Sequence, residues 1–227
     1  MIEVAYLKIL LVRHAQSFGN QRGEMEGQTS TALCRQGQQQ AQRLSHRLLT
    51  IGHQPSHLYS SPLLRAKQTA DAIATALSQA GHPISYYCAD NALQEMHQGI
   101  FQGLTWAQAQ AQYPKLCAQL MTDLAWQPVP QAETLSAARA RAHAWVNHVL
   151  QVHSLGEVVW AVAHEGILQQ LVAVLMGCDR TWKIPIAHTA IFEFWLAAKS
   201  PRALTHDRFN PEYWHIHRFN DCAHLLP

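Results

Sequence analysis

Val158-Val159-Trp160-Ala161-Val162-Ala163 is six apolar residues without a break, stopped by His164. A run of this length and β-branched content reads as a strand buried on both faces, and such a strand needs helices above and below it. A second run, Ile9 to Val12, stops as abruptly at Arg13-His14 and passes into small and polar residues that reach Asn20. That ending delivers a cation and an imidazole to the mouth of a sheet, beyond the carboxyl end of a strand, where α/β folds commonly carry their chemistry. On Arg13 and His14 alone, a strand with a solvated basic end accounts for the segment equally well.

The rest of the chain alternates between the two periods. Residues from about Thr31 to Thr50 predict a helix with Leu33, Leu44, Leu48 and Leu49 as its apolar stripe. Leu58–Ser60 predicts a short strand, and Pro62 near a helix start introduces a helical run from Leu63 to Ala80 that Gly81-His82-Pro83 ends. Ile84–Cys88 is strand-like, Glu133–Val152 a long helix, Gly166–Met176 a buried helix closed by Gly177, and Thr189–Leu196 and Tyr213–Phe219 complete the strands. Between about 96 and 132 the character changes. Ala107–Gln112 alternates Ala and Gln but favours helix, and Pro114, Pro128 and Pro130 break the stretch into short helices and loops. The expectation is one α/β domain over 1–227: a three-layer α/β/α sandwich with a mostly parallel mixed sheet, carrying a small helical insertion at about 96–132 over the active-site end.

A net charge of +2 with only 14% charged residues, and no basic run, argues against nucleic-acid binding. No segment approaches the ~20 apolar residues of a membrane span. Glu3 and Lys8 interrupt the N-terminal apolar stretch, which would already be too short, so a signal peptide is not expected there. Cys34, Cys88, Cys117, Cys178 and Cys222 are odd in number and form no C-x-x-C pair, as expected of reduced thiols in a cytoplasmic protein. Apolar residues of Ile186–Leu196 either bury in the core or pair with another chain, which leaves a homodimer open.

Four points along the chain put phosphate-suited groups at predicted strand ends: Arg13 and His14, then Arg65, then Glu95, then His164. Two arginines can grip a phosphoryl group and neutralise its charge. One histidine can attack phosphorus while the other donates to an equatorial oxygen, and a carboxyl group can protonate the departing alkoxide. Each has an ordinary alternative: Arg65 as a surface residue, His164 as a hydrogen-bonded structural histidine, Glu95 as a solvated loop carboxylate. Their joint arrival at strand ends is what chance supplies poorly.

Three segments now carry a resemblance. Arg13-His14-Ala15-Gln16-Ser17 with Asn20, Ser60-Ser61-Pro62 with Arg65-Ala66 and Gln68-Thr69-Ala70, and Ala163-His164-Glu165-Gly166 resemble the histidine phosphatase superfamily, in its phosphoglycerate-mutase-like branch. Leu33–Ala41 looks like that branch's first helix, Glu95–Leu104 its acid-bearing segment, and Trp214–Leu225 its terminus. The resemblance implies His14 as nucleophile forming a phosphohistidine, and Arg13, Arg65 and His164 as the phosphate pocket. It also implies Asn20, with Gln16 or Ser17, at the rim, and Glu95 as general acid and then base toward water. No metal or other cofactor is needed, because the positive pocket replaces a cation.

The family divides into mutases and phosphatases. Gln98 stands where the mutases carry Tyr, Trp106 where they carry Lys, and from Phe101 to Leu135 the only basic residue is Lys115. Second-phosphate binding is poorly provided for, so the expected activity is a metal-independent phosphomonoesterase acting on a small phosphorylated metabolite. His97 and Gln98, within a few residues of the acid, are candidate substrate contacts. A mutase, a catalytically weak binding or regulatory member, and a metal hydrolase built on His164-Glu165, His215 and His217 are the alternatives. The last lacks a further ligand of suitable spacing. Trp106, Tyr113, Met121 and Trp126 either line a lid or pack the insertion. Glu165 stands where the family commonly has Gly, and is expected to point away from the anion pocket or to pair with a cation. Cys34 replaces a Ser or Thr cap and is expected to weaken that cap.

Overall fold

In a computed structural model, which describes residues 5–123, 127–180, 182–197 and 211–226, both apolar runs lie at the centre of one sheet. Its strands are β1 (Leu7–Arg13), β2 (His57–Ser60), β3 (Tyr86–Ala89), β4 (Val158–Ala163), β5 (Ile191–Leu196) and β6 (Trp214–Asp221), in the order β3-β2-β4-β1-β5-β6. β4 runs parallel to both β1 and β2, and β3 parallel to β2. β5 and β6 are added antiparallel at the other edge.

The helices are α1 (Phe18–Gln21), α2 (Arg35–Leu49), α3 (Leu64–Gln79), α4 (Trp106–Gln112), α5 (Pro114–Thr122), α6 (Leu135–Val152) and α7 (Glu165–Leu175). Because side chains alternate across a strand, the same runs feed two cores. Leu10, Val12, Trp160 and Val162 pack with Leu44 and Leu48 of α2 and Ile73 and Leu77 of α3. Ile9, Leu11, Val159 and Ala161 pack with Trp145 and Val149 of α6 and Ile167 and Leu171 of α7. The architecture is therefore the expected three-layer α/β/α sandwich. Ile191, Phe192, Phe194 and Leu196 take the core side of the two fates open to them.

Several boundaries move for local reasons. α2 starts at Arg35, not near Thr31, because Leu33 bridges to Ser17 and its backbone N–H donates to Gln68 Oε1 at 2.7 Å. Cys34 does cap α2, its Sγ accepting the Gly37 N–H at 3.4 Å. β3 starts at Tyr86, with Ile84 packed against the α2–α3 core instead. β5 starts at Ile191 because Thr189 takes a positive φ of 63°. The short helix α1 was not expected; Ser17 and Asn20 build it with a reciprocal capping box.

Between β3 and α6, 3-10 turns at Asn91–Leu93 and Gly99–Phe101 precede α4 and α5. Phe101, Ala109 and Cys117 form a small separate core there, with Tyr113 and Met25 packed against it. The five cysteines are free thiols, and among the described residues no helix is long and apolar enough to cross a membrane.

Candidate active site

β1 and β4 are neighbours, yet the chain leaves them toward opposite layers, β1 into α2 and β4 into α7. A crevice opens at such a switch point, beyond the carboxyl ends of the strands. The register fixes what stands there. Arg13 lies opposite Ala163, and the His14 N–H donates to the Ala163 carbonyl at 2.9 Å. His14 and His164 thus leave adjacent strands at one level, their ring centroids 4.8 Å apart.

Arg65 enters from the first turn of α3 and is 1% exposed. Its Nη1 donates to the Thr29 carbonyl at 2.6 Å, its Nη2 to the Gly27 carbonyl at 2.7 Å, and its Nε to His14 Nε2 at 3.2 Å. The His14 Nδ1 lies 2.7 Å from the Ala15 carbonyl, which can only accept, so Nδ1 carries the proton and Nε2 keeps its lone pair. Burial first, then His164, Arg65 and Arg13, push the His14 pKa well below its ordinary value. His14 is a neutral imidazole with its lone pair on the atom facing Arg65. The His164 pKa is likewise pushed well down, by burial first and then by Arg65 and Arg13. Its Nε2 lies 2.8 Å from Ser61 Oγ, while its buried Nδ1 has no protein partner.

Glu95 is held by backbone. Its Oε1 accepts from the Met96 N–H at 2.8 Å and the Ile167 N–H at 3.1 Å, and its Oε2 accepts from the Gly166 N–H at 3.0 Å. The last two belong to the first turn of α7, whose otherwise unpaired N–H groups fix the direction of the Glu95 carboxyl group. Glu165 pairs with Arg13, Oε2 to Nη1 at 2.9 Å, one of the two dispositions expected of it. Arg13 also donates to the Ile186 carbonyl, and burial is the main cause lowering its pKa from the ordinary guanidinium value.

One pocket brings together Arg13, His14, Asn20, Arg65, Glu95 and Gln98. Four other candidates do not line it. His164 is wholly buried, its ring beside that of His14. Ser17 is buried in the α1 cap and donates to Glu26 Oε2 at 2.5 Å. The Gln16 side chain turns to α2, where it accepts from Cys34 Sγ at 3.4 Å. The His97 ring is spent on its own loop, its Nδ1 accepting the Gly99 N–H at 3.0 Å. His215 and His217 lie on β6 beside Trp195, which is in register with Lys8 at the opposite end of β1 from Arg13, so they form no cluster with His164. Trp106 and Tyr113 pack on Phe101, Met121 is exposed, and Trp126 lies outside the described residues.

Two residues at the site carry no signal in the sequence. Glu26, in the loop after α1, is buried 3.7 Å from Arg65 Nε and also accepts from Thr31 Oγ1. His188 brings its ring within 5.7 Å of His14, and burial first and then Arg13 lower its pKa to about 4.

A model of the histidine phosphatase superfamily (branch 1) matches residues 9–220. A 2,3-bisphosphoglycerate-dependent phosphoglycerate mutase of Brucella anthropi is 31% identical over 170 residues, 74% of this chain and 81% of the relative. YhfR of Bacillus stearothermophilus superposes with a TM-score of 0.76 at 23% identity, over 97% of this chain and all of that one. A mycobacterial glucosyl-3-phosphoglycerate phosphatase superposes with a TM-score of 0.68 at 23% identity, over 95% and 99% of the two chains. At such identities the two structures speak for the fold.

Proposed function

From membership of the histidine phosphatase superfamily (branch 1), to which this chain belongs, we propose that it hydrolyses small phosphomonoesters through a phosphohistidine on His14. The observation that carries the reading is the His14 ring: neutral, protonated on Nδ1, with the Nε2 lone pair at the Arg65 guanidinium. Nε2 attacks phosphorus, the bond from phosphorus to the ester oxygen breaks, and Glu95 gives its proton to the leaving alkoxide. Water then attacks the phosphohistidine, Glu95 takes a proton back, and the bond from phosphorus to Nε2 breaks. Arg13 and Arg65 offset the charge on the equatorial oxygens, so the chemistry requires no metal. In this reading His164, wholly buried beside His14, accepts from Ser61 Oγ at Nε2 and offers its unpartnered Nδ1–H to a phosphoryl oxygen of the seated ester.

Water is the favoured acceptor because Arg13 and Arg65 are the cations lining this pocket, and both serve the first phosphoryl group. The mutase reading is kept in view by the Brucella relative, and acceptor competition separates the two. His14→Ala should lose phosphate release by at least about 10³-fold, the scale of removing a covalent nucleophile, together with the acid-labile phosphoenzyme, while the protein stays folded at the assay temperature. Wild-type rates in EDTA-treated His14→Ala protein would overturn the mechanism. Transfer to a phosphoglycerate acceptor in preference to water would replace hydrolysis with the mutase reaction.

A further inference from the structure

We propose that Glu165 makes this pocket select phosphomonoesters whose leaving alcohol carries an ammonium group, an inference that rests on the phosphatase reading above. The walls hold four carboxylates, Glu24, Glu26, Glu95 and Glu165, against the two guanidinium groups of Arg13 and Arg65. Three of the four are satisfied by groups that remain in place when a phosphoryl group enters. Glu95 is bound by backbone N–H groups, Glu26 by the hydroxyls of Ser17 and Thr31, and Glu24 by Arg22 at 2.6 and 3.0 Å.

Glu165 differs. Its carboxylate pairs with Arg13, which the phosphoryl oxygens also require; Glu26 likewise lies 3.7 Å from Arg65 Nε but keeps its two hydroxyl partners, whereas Glu165 has no such second partner among the described residues. It has no duty as a helix cap, because the Glu95 carboxylate already takes the Gly166 and Ile167 N–H groups at the start of α7. Its side chain is 38% exposed, so it stands at the rim rather than in the phosphate seat. When a phosphoryl dianion takes Arg13, the Glu165 carboxylate is left beside like charge with half a partner. An ammonium on the leaving alcohol supplies the missing partner, a neutral alcohol supplies nothing, and a carboxylate adds a further like charge in a pocket with no third cation. The substrate class this favours is the phosphate ester of a short amino alcohol.

Three esters of matched size test the idea: phosphoethanolamine, 2-hydroxyethyl phosphate and phosphoglycolate, with p-nitrophenyl phosphate as a general phosphatase substrate. The expected order of kcat/KM is ammonium, neutral, carboxylate, with the first exceeding the last by at least about tenfold, the scale of one charge-assisted hydrogen bond. Glu165→Gln, at a partly exposed position, should fold and should compress that order to within about threefold, mainly by changing KM. Equal kcat/KM for the three esters in protein that cleaves p-nitrophenyl phosphate would overturn the inference and leave the phosphatase reading standing. A uniform rise for all three in Glu165→Gln would also overturn it, making Glu165 only a competitor for Arg13. Failure to cleave any of the four esters would overturn the phosphatase reading and this inference with it.

Discussion

The His164 and His188 rings lie tilted against that of His14, with centroids 4.8 and 5.7 Å from it, and the Arg65 guanidinium reaches His14 Nε2. Burial is the largest cause in each case, and it disfavours the charged form of all three. Under the proposed mechanism, His14 keeps its Nε2 lone pair for attack as the pH falls through 6.5, without a neighbouring base to deprotonate it. For stability the sign follows from proton counts. Below 6.5 the unfolded chain takes up protons on these residues before the folded one does, so stability is complete above 6.5 and declines as the pH drops toward the folded values. For His188 that window runs from 6.5 down to about 4. The thermal midpoint, followed against pH, should be level near neutrality and fall below 6.5. His188→Asn, which cannot take up a proton, should fall less steeply across the window. A slope equal to the wild-type one would mean that His188 does not favour the neutral form in the folded protein.

At the scale of elements, the site depends on how closely α2 approaches the loop that follows His14. A Cβ on Gly37 would lie 1.9 Å from the Gln16 carbonyl oxygen, a backbone atom that cannot swing aside. Gly37→Ala should therefore cost about 1–3 kcal/mol, the range for overpacking, and should lower kcat by shifting residues 15–17 beneath His14. Thermal unfolding and phosphate release measured on the same preparation check both effects. This close approach also explains what the amino-acid sequence discloses and what it hides. His14, Arg65 and His164 are legible because apolar strands and a helix start announce where they end. Gln16 and Ser17 sit as near His14 in sequence as any residue, yet their directions are set by contacts with α2 and by the α1 cap. Glu26 and His188 lie in loops brought to the site against Arg65 and His14, which are remote in sequence, and no local pattern encodes that. The early start expected for α2 fails for the same reason, since Leu33 spends its backbone on Ser17 and Gln68 rather than on a helix.

Across the whole molecule, the C-terminal segment returns to brace the centre. Beyond β6, the turn Ala223–Leu225 brings His224 Nε2 to 2.9 Å from Thr189 Oγ1. Asp221 is in register with Ile191 and lies 3.6 Å from Arg47 of α2. Thr189 is a β-branched residue at φ 63°, a conformation that costs roughly 1–2 kcal/mol. It is held there by its N–H bond to the Arg13 carbonyl at 3.0 Å and by His224. The turn it makes is what sets His188 against the His14 ring. His224→Ala should thus cost about 1 kcal/mol for the lost hydrogen bond and reduce kcat, although residue 224 touches no reacting atom. Thr189→Gly removes the φ strain together with the hydroxyl that His224 holds. If the tail acts through Thr189, His224→Ala should cost less in the Thr189→Gly background than in the wild type, by at least about 0.5 kcal/mol, with the kcat loss shrinking in parallel. Strict additivity of the two substitutions, in both stability and kcat, would uncouple the C-terminal segment from His14 and reduce His224 to a local contact.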